Sequence, residues 1–207
     1  MSLEGERAKL LATAFRMPSV QTMVSRKSSI TNAFVNSLIP VIPPTLDEID
    51  QALKIRGMEP DNVRCVYCGD PSSEWDHLRP LVLRLRPTGY ISEIANLVPS
   101  CGKCNQSKGN SNWLTWMNGN ADLCPRKRGT PGLEQRIEHL KAYEAWKDVQ
   151  PVNFEEILGP ELWREYWADY EKMVNALKDS QLLADRLKAK IKEAHDATEA
   201  RPRQPAP

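Results

Sequence analysis

Apolar residues recur at helical spacing toward both ends of the chain, and the middle breaks that rhythm. Leu3, Leu10, Leu11 and Ala14 predict a helix over 3–15, stopped near Pro18. Ile30, Phe34, Val35 and Leu38 form a second apolar face, ended by Pro40, Pro43 and Pro44. Thr45-Leu46-Asp47-Glu48 is a capping box, in which the Thr45 hydroxyl accepts from the Glu48 amide and the Glu48 side chain reaches back. Ile49, Leu53 and Gly57 complete that third helix. Farther on, Leu133, Ile137, Leu140 and Trp146 share one face of a helix within 132–149. Pro160 suits the first turn of a long final helix. Its stripe runs through Leu162, Tyr166, Tyr170, Met173, Leu177, Ala184, Leu187, Ile191 and Ala194. A stripe that long predicts helix pairing, either within the chain or across a homodimer.

The middle reads differently. Leu81, Leu83 and Leu85 alternate with Val82, Arg84 and Arg86, which predicts a strand. Pro87-Thr88-Gly89 predicts the turn of a hairpin, and apolar residues resume at Ile91. After Cys101, the pattern of Lys103, Cys104, Ser107 and Lys108 fits a short helix. The expected fold class is α+β and mostly helical. It divides into an N-terminal helical segment (1–60), a central unit (61–125), a C-terminal helical region (126–197) and a disordered tail (198–207) whose prolines are Pro202, Pro205 and Pro207.

Composition adds exclusions. Of 207 residues, 41% are hydrophobic and 27% charged, ordinary for a globular chain and wrong for a disordered one. No apolar run approaches the ~18 residues of a membrane span. Met1-Ser2-Leu3-Glu4-Gly5-Glu6-Arg7 leads into no secretory core, so a cytoplasmic setting is expected. A net charge of +1 excludes a uniformly basic nucleic-acid binder while permitting a local basic surface.

All five cysteines lie between 65 and 124. Cys65-Val66-Tyr67-Cys68 and Cys101-Gly102-Lys103-Cys104 are two CxxC knuckles. Two intervening residues let both sulfurs reach one ion at about 2.3 Å, and two such turns complete a tetrahedral zinc site. A site filled by four thiolates has no open position, so this zinc is structural and the segment between the knuckles is where chemistry belongs. Cys124 has no partner and reads as an ordinary thiol.

That segment carries Trp75-Asp76-His77-Leu78-Arg79-Pro80 and Asn96-Leu97-Val98-Pro99, and the second knuckle continues into Asn105 and Lys108-Gly109. Over Cys65 to Asn110 the sequence resembles the HNH endonuclease family, with Asn105 standing where the last histidine of the family name would be. The resemblance implies a ββα-metal finger stapled by the zinc and flanked by N- and C-terminal helices. It also implies hydrolysis of DNA phosphodiester bonds to 5′-phosphate and 3′-hydroxyl ends. His77 is the implied general base, a role its ordinary pKa of about 6.5 allows at neutral pH. Asp76 and Asn105 are the implied oxygen ligands of a catalytic Mg²⁺ or Mn²⁺. Asn96 is the implied support, holding the finger's loop by hydrogen bonds so that His77 is oriented.

Basic residues are candidates for phosphate contact: Lys103 and Lys108 beside the site, Arg79, Arg84 and Arg86 along the hairpin, and the Arg126-Lys127-Arg128 loop. Trp113 and Trp116 read as core anchors, and His139 and His195 as packing or surface residues. The reading is a prokaryotic or phage-encoded nuclease for restriction, defence or DNA processing. Two alternatives stand beside it: a catalytically inactive zinc-stapled nucleic-acid-binding module, and a protein-interaction protein built on the C-terminal helices.

Overall fold

The computed structural model describes residues 3–14 and 17–199. Phe15 of the first expected helix, and the expected tail from residue 200 onward, lie outside the described residues. Two compact units are distinguished: 1–27 with 172–207, and 28–171.

The first unit contains α1 (Leu3–Ala14), a 3-10 turn at Val24–Arg26 and the distal part of the last helix, α8 (Pro160–Glu199). Within it the Met23 amide donates to Gln181 Oε1 at 2.6 Å. Leu10, Leu11, Leu182 and Ile191 are exposed.

The second unit carries α2 (Lys27–Leu38) from Ser28 onward, α3 (Leu46–Ile55), β1 (Glu74–His77), β2 (Val82–Leu83) and β3 (Arg86–Pro87). It continues with β4 (Leu97–Ser100), α4 (Gly102–Lys108), α5 (Trp113–Met117), α6 (Leu133–Trp146), α7 (Phe154–Leu158) and the first turns of α8. The capping box forms as its residues dictate. Glu48 N–H donates to Thr45 Oγ1 at 3.2 Å, and Thr45 N–H donates to Glu48 Oε2 at 2.8 Å. The aromatic stripe of α8 meets α2, where Phe34 packs on the Tyr166 and Tyr170 rings. Thr31 Oγ1 lies 2.9 Å from the Tyr170 hydroxyl in the interior.

The expected hairpin is corrected. Only Val82–Leu83 and Arg86–Pro87 pair, and the chain reverses at Arg84-Leu85 rather than at 87–89. Both turn residues are left-handed, with φ of 50° and 63°, the backbone that matches the twist of a two-residue hairpin. The sheet that matters joins distant segments: β1 and β4 run antiparallel, with Asp76 opposite Val98 and His77 opposite Leu97. The chain then enters α4, which packs on β1.

The core surrounds the cysteines. Tyr67, Leu78, Val98, Trp113, Trp116, Met117, Ile137, Leu140 and Tyr143 pack about them, and Trp116 meets the Tyr67 ring edge-on at 5.1 Å. Burying one large apolar side chain contributes about 1.5–3 kcal/mol, so this cluster dominates the unit's stability. The Tyr143 hydroxyl donates to the carbonyls of Ile94 and Leu97, tying α6 to the start of β4.

Candidate active site

The two knuckles bring Cys65, Cys68, Cys101 and Cys104 together, all buried, with their sulfurs within 4.8 Å of one another. That spacing suits one tetrahedral ion, whose ligands at about 2.3 Å stand roughly 3.8 Å apart. Hydrogen bonds from Cys104 and Cys68 hold the Cys65 thiol down, and Cys65 drives the Cys104 thiol up. Arg128 adds positive charge there, donating to Cys104 Sγ at 3.4 Å and to Asp70 Oδ2 at 3.2 Å. Cys124 is buried apart from the cluster, its thiol donating to the Gly119 carbonyl at 2.8 Å.

Asp76 and His77 are adjacent on β1, yet both reach one cleft of about 330 Å³, together with Asn105 and Gly109. His77 ends the strand, which frees it from strict side-to-side alternation. Its Nε2 lies 2.9 Å from Ser92 Oγ. Burial and then the nearby Lys108 charge lower its pKa to about 4, so the imidazole is neutral at pH 7.

Asp76 is 5% exposed. The Tyr67 hydroxyl donates to its Oδ2 at 2.6 Å, and Lys108 Nζ lies 3.1 Å from Oδ1 and 3.0 Å from Oδ2. Burial raises the Asp76 pKa against the pull of Lys108 and Tyr67. Tyr67 itself is kept a neutral donor by burial and by the Asp76 charge. Lys108, expected at a phosphate, has a fully buried side chain whose ammonium also donates to the His77 carbonyl at 2.9 Å and the Gly109 carbonyl at 3.3 Å.

Asn105, in the second turn of α4, donates from Nδ2 to Glu74 Oε2 at 2.6 Å. That bond fixes the amide's orientation and leaves Oδ1 as an acceptor. Gly102 makes room for the arrangement, since a β-carbon there would stand 2.9 Å from Glu74 Oε1. Asn96 is completely buried and clasps the loop after β1. Its Oδ1 accepts from the Arg79 amide at 2.8 Å, and its Nδ2 donates to the carbonyls of Arg79 at 3.1 Å and Ile91 at 3.2 Å.

The other basic candidates divide. Arg79 is half-buried, bonding the Ala95 and Glu144 carbonyls, and Arg86 lies over the Trp167 ring at 4.1 Å. Arg126 pairs with Glu134, Lys127 with Asp122 and Arg128 with Asp70. Lys103 and Arg84 are exposed, with no ion pair among the described residues. The structure thus does not gather these side chains into one basic surface at the cleft.

Sequence reasoning missed several contributors. Glu74, Tyr67 and Ser92 orient Asn105, Asp76 and His77, and each is a common residue type with no spacing signal. Ser92 is itself held by the segment after α2: its N–H donates to the Pro40 carbonyl at 3.3 Å, and its carbonyl accepts from the Ile42 amide at 2.8 Å. Asn32 and Asn36, one helical turn apart on α2, line the same cleft.

A histidine, a carboxylate and an amide thus meet in one cleft, held on a strand pair and a helix beside a four-thiol cluster. Residues 65–111 match the family model described as HNH endonuclease. Among curated proteins the chain is similar to the CRISPR-associated endonuclease Cas9 of Corynebacterium diphtheriae, 36% identical over 67 residues. That similarity takes in 30% of this chain and 6% of the relative's length. No solved structure gives a significant match. No helix among the described residues is long and apolar enough to cross a membrane.

Proposed function

We propose that the chain is a metal-dependent endonuclease that hydrolyses DNA phosphodiester bonds at the cleft between β1, α4 and α2. The observation that carries this reading is the meeting of Asp76, His77 and Asn105 in that one cleft, with the imidazole neutral and the Asn105 carbonyl free. β1, β4 and α4 serve as the ββα-metal finger, and 61–125 as the nuclease segment. Zn²⁺ is the ion of the four cysteines, holding the two strands and α4 in register.

His77 is the general base. In the tautomer whose Nε2–H donates to Ser92 Oγ, Nδ1 keeps the lone pair that takes a proton from the attacking water. Asn105 Oδ1 and the Asp76 carboxylate, whose oxygens also hold Lys108 and Tyr67, are the hard oxygens that would hold Mg²⁺ or Mn²⁺. When bound, such an ion neutralises charge on the phosphoryl group and on the departing oxygen. Asn96 keeps the loop from Arg79 to Ile91 closed, and Ser92, the next residue, in reach of His77. Asn32 and Asn36, which line the same cleft, offer amides to the substrate. The setting is a prokaryotic or phage cytoplasm, in restriction, defence or DNA processing.

Supercoiled-plasmid cleavage by the zinc-loaded chain tests the reading. Nicking or linearisation should require Mg²⁺ or Mn²⁺, and His77→Ala should lower the rate by about 10²–10⁴. Cutting that survives in His77→Ala refutes the base. Binding without cutting by folded wild-type protein points to the inactive DNA-binding alternative.

A further inference from the structure

A second cleft, of about 340 Å³, lies where the end of α3, the first knuckle and the start of α6 converge. Its walls carry Arg56, Arg64, Arg136 and His139, against one acid among the described lining residues, Glu59. Arg56 is only 5% exposed, and no carboxylate pairs with it among the described residues. Its Nε donates to the Ala52 carbonyl at 2.8 Å, and its guanidinium lies 4.6 Å from the centre of the Tyr143 ring. Its Nη1 is buried with no hydrogen-bond partner. A buried cation left in that state is costly, and the negative potential of an anion in the cleft that Arg56 lines offsets part of that cost without touching Nη1.

The start of α6 supplies an independent pull of the same sign. Gly132 precedes its first turn in a left-handed conformation, φ 65°, and no side chain caps the helix. Gly132 and Arg136 both line the cleft, so the positive end of a 14-residue helix faces the guanidinium groups. Three planar donors and a helix N-terminus match a multi-oxygen anion better than a single carboxylate.

We propose that this cleft binds a phosphate group, and that the phosphate belongs to the backbone of the nucleic acid acted on at His77. The choice of nucleic acid as the source rests on the nuclease reading; the phosphate chemistry does not. No residue of this cleft belongs to the His77 cleft, so a bound strand would be held at two places.

The test uses the full zinc-loaded chain with His77→Ala, so that no DNA is cut, in buffer free of divalent ions. Affinity for a labelled duplex is measured from 50 to 200 mM salt, with and without Arg64→Gln/Arg136→Gln. Lys192→Gln serves as the surface control, and melting temperature with zinc content verifies folding. Loss of the one phosphate contact should make the slope of log affinity against log salt shallower by about 0.9, a roughly 3.5-fold change across that range. In parallel, inorganic phosphate is titrated against the His139 ring resonances. Ring shifts that vanish in the double variant, together with the shallower slope, support the proposal in full. Ring shifts with an unchanged slope retain the phosphate site but overturn its assignment to nucleic acid. An unchanged slope with no ring shift overturns the site. Failure of plasmid cleavage would bear on His77 alone, because neither arm reads catalysis.

Discussion

Replacing Lys108 by methionine isolates the buried charge beneath the candidate base. The ammonium is fully buried and lies within 3.3 Å of Asp76, the His77 carbonyl and the Gly109 carbonyl. Methionine keeps most of the volume, so the cavity contribution is small. What remains is a buried Asp76 carboxylate whose described partner is the Tyr67 hydroxyl. Breaking a buried pair in this way costs about 3–5 kcal/mol. Asp76→Asn alone strands the lysine instead, while the double variant removes both charges and keeps an acceptor for Tyr67. The double should therefore lose less than the two singles summed, with a coupling of about 2 kcal/mol. The assay is urea unfolding of all four proteins at pH 7 in zinc-containing buffer.

The same variant has a signature in pH. Burial already holds the Asp76 pKa above its ordinary 3.8, and losing Lys108 raises it further. Between the unfolded and folded pKa values the folded chain then binds the extra proton, so stability falls as pH rises. The Lys108→Met deficit should accordingly shrink as pH is lowered from 7 toward 4. A deficit under about 1 kcal/mol, zero coupling in the cycle, or a deficit that grows on acidification would each refute the reasoning.

Two further outcomes are expected. Leu85→Gly should stabilise the chain by about 1 kcal/mol in thermal unfolding, because a non-glycine residue at φ 63° carries strain that glycine does not. Cys101→Ser should lower zinc content on metal analysis and collapse the signal of the Tyr67, Trp113 and Trp116 core in near-UV circular dichroism, because that core is built around the four sulfurs.

What was legible in the sequence was what spacing alone encodes. The two CxxC turns place four sulfurs together, the Thr45–Glu48 pair starts α3, and the Pro160 stripe becomes the 40-residue α8. Trp113 and Trp116 are core residues, as their position after the second knuckle suggested. The hairpin was misread because Arg84 and Leu85 adopt left-handed backbone without the glycine or asparagine that normally marks it. Lys108 was misread because lysine is normally exposed, and only the fold reveals that Asp76 and two carbonyls wait inside for its ammonium. Ser92 and Glu74 were silent for a related reason: their partners, His77 and Asn105, are 15 and 31 residues away. Asn32 and Asn36 line the cleft from α2, which packs on the aromatic stripe of α8, a contact between segments distant in sequence.

The clasp made by Asn96 has a consequence for how the chain can change over evolutionary time. The loop between β1 and β4 is sealed at its root by three hydrogen bonds between the Asn96 side-chain amide and the backbone of Arg79 and Ile91, and by the Leu78 amide donating to the Asn96 carbonyl at 2.8 Å. Lengthening the tip at Arg84-Leu85 therefore leaves the root untouched, and doubling a flexible loop costs only about 0.6 kcal/mol in closure entropy. The tip is a site where new sequence can be inserted without disturbing the cleft residues that the clasp holds.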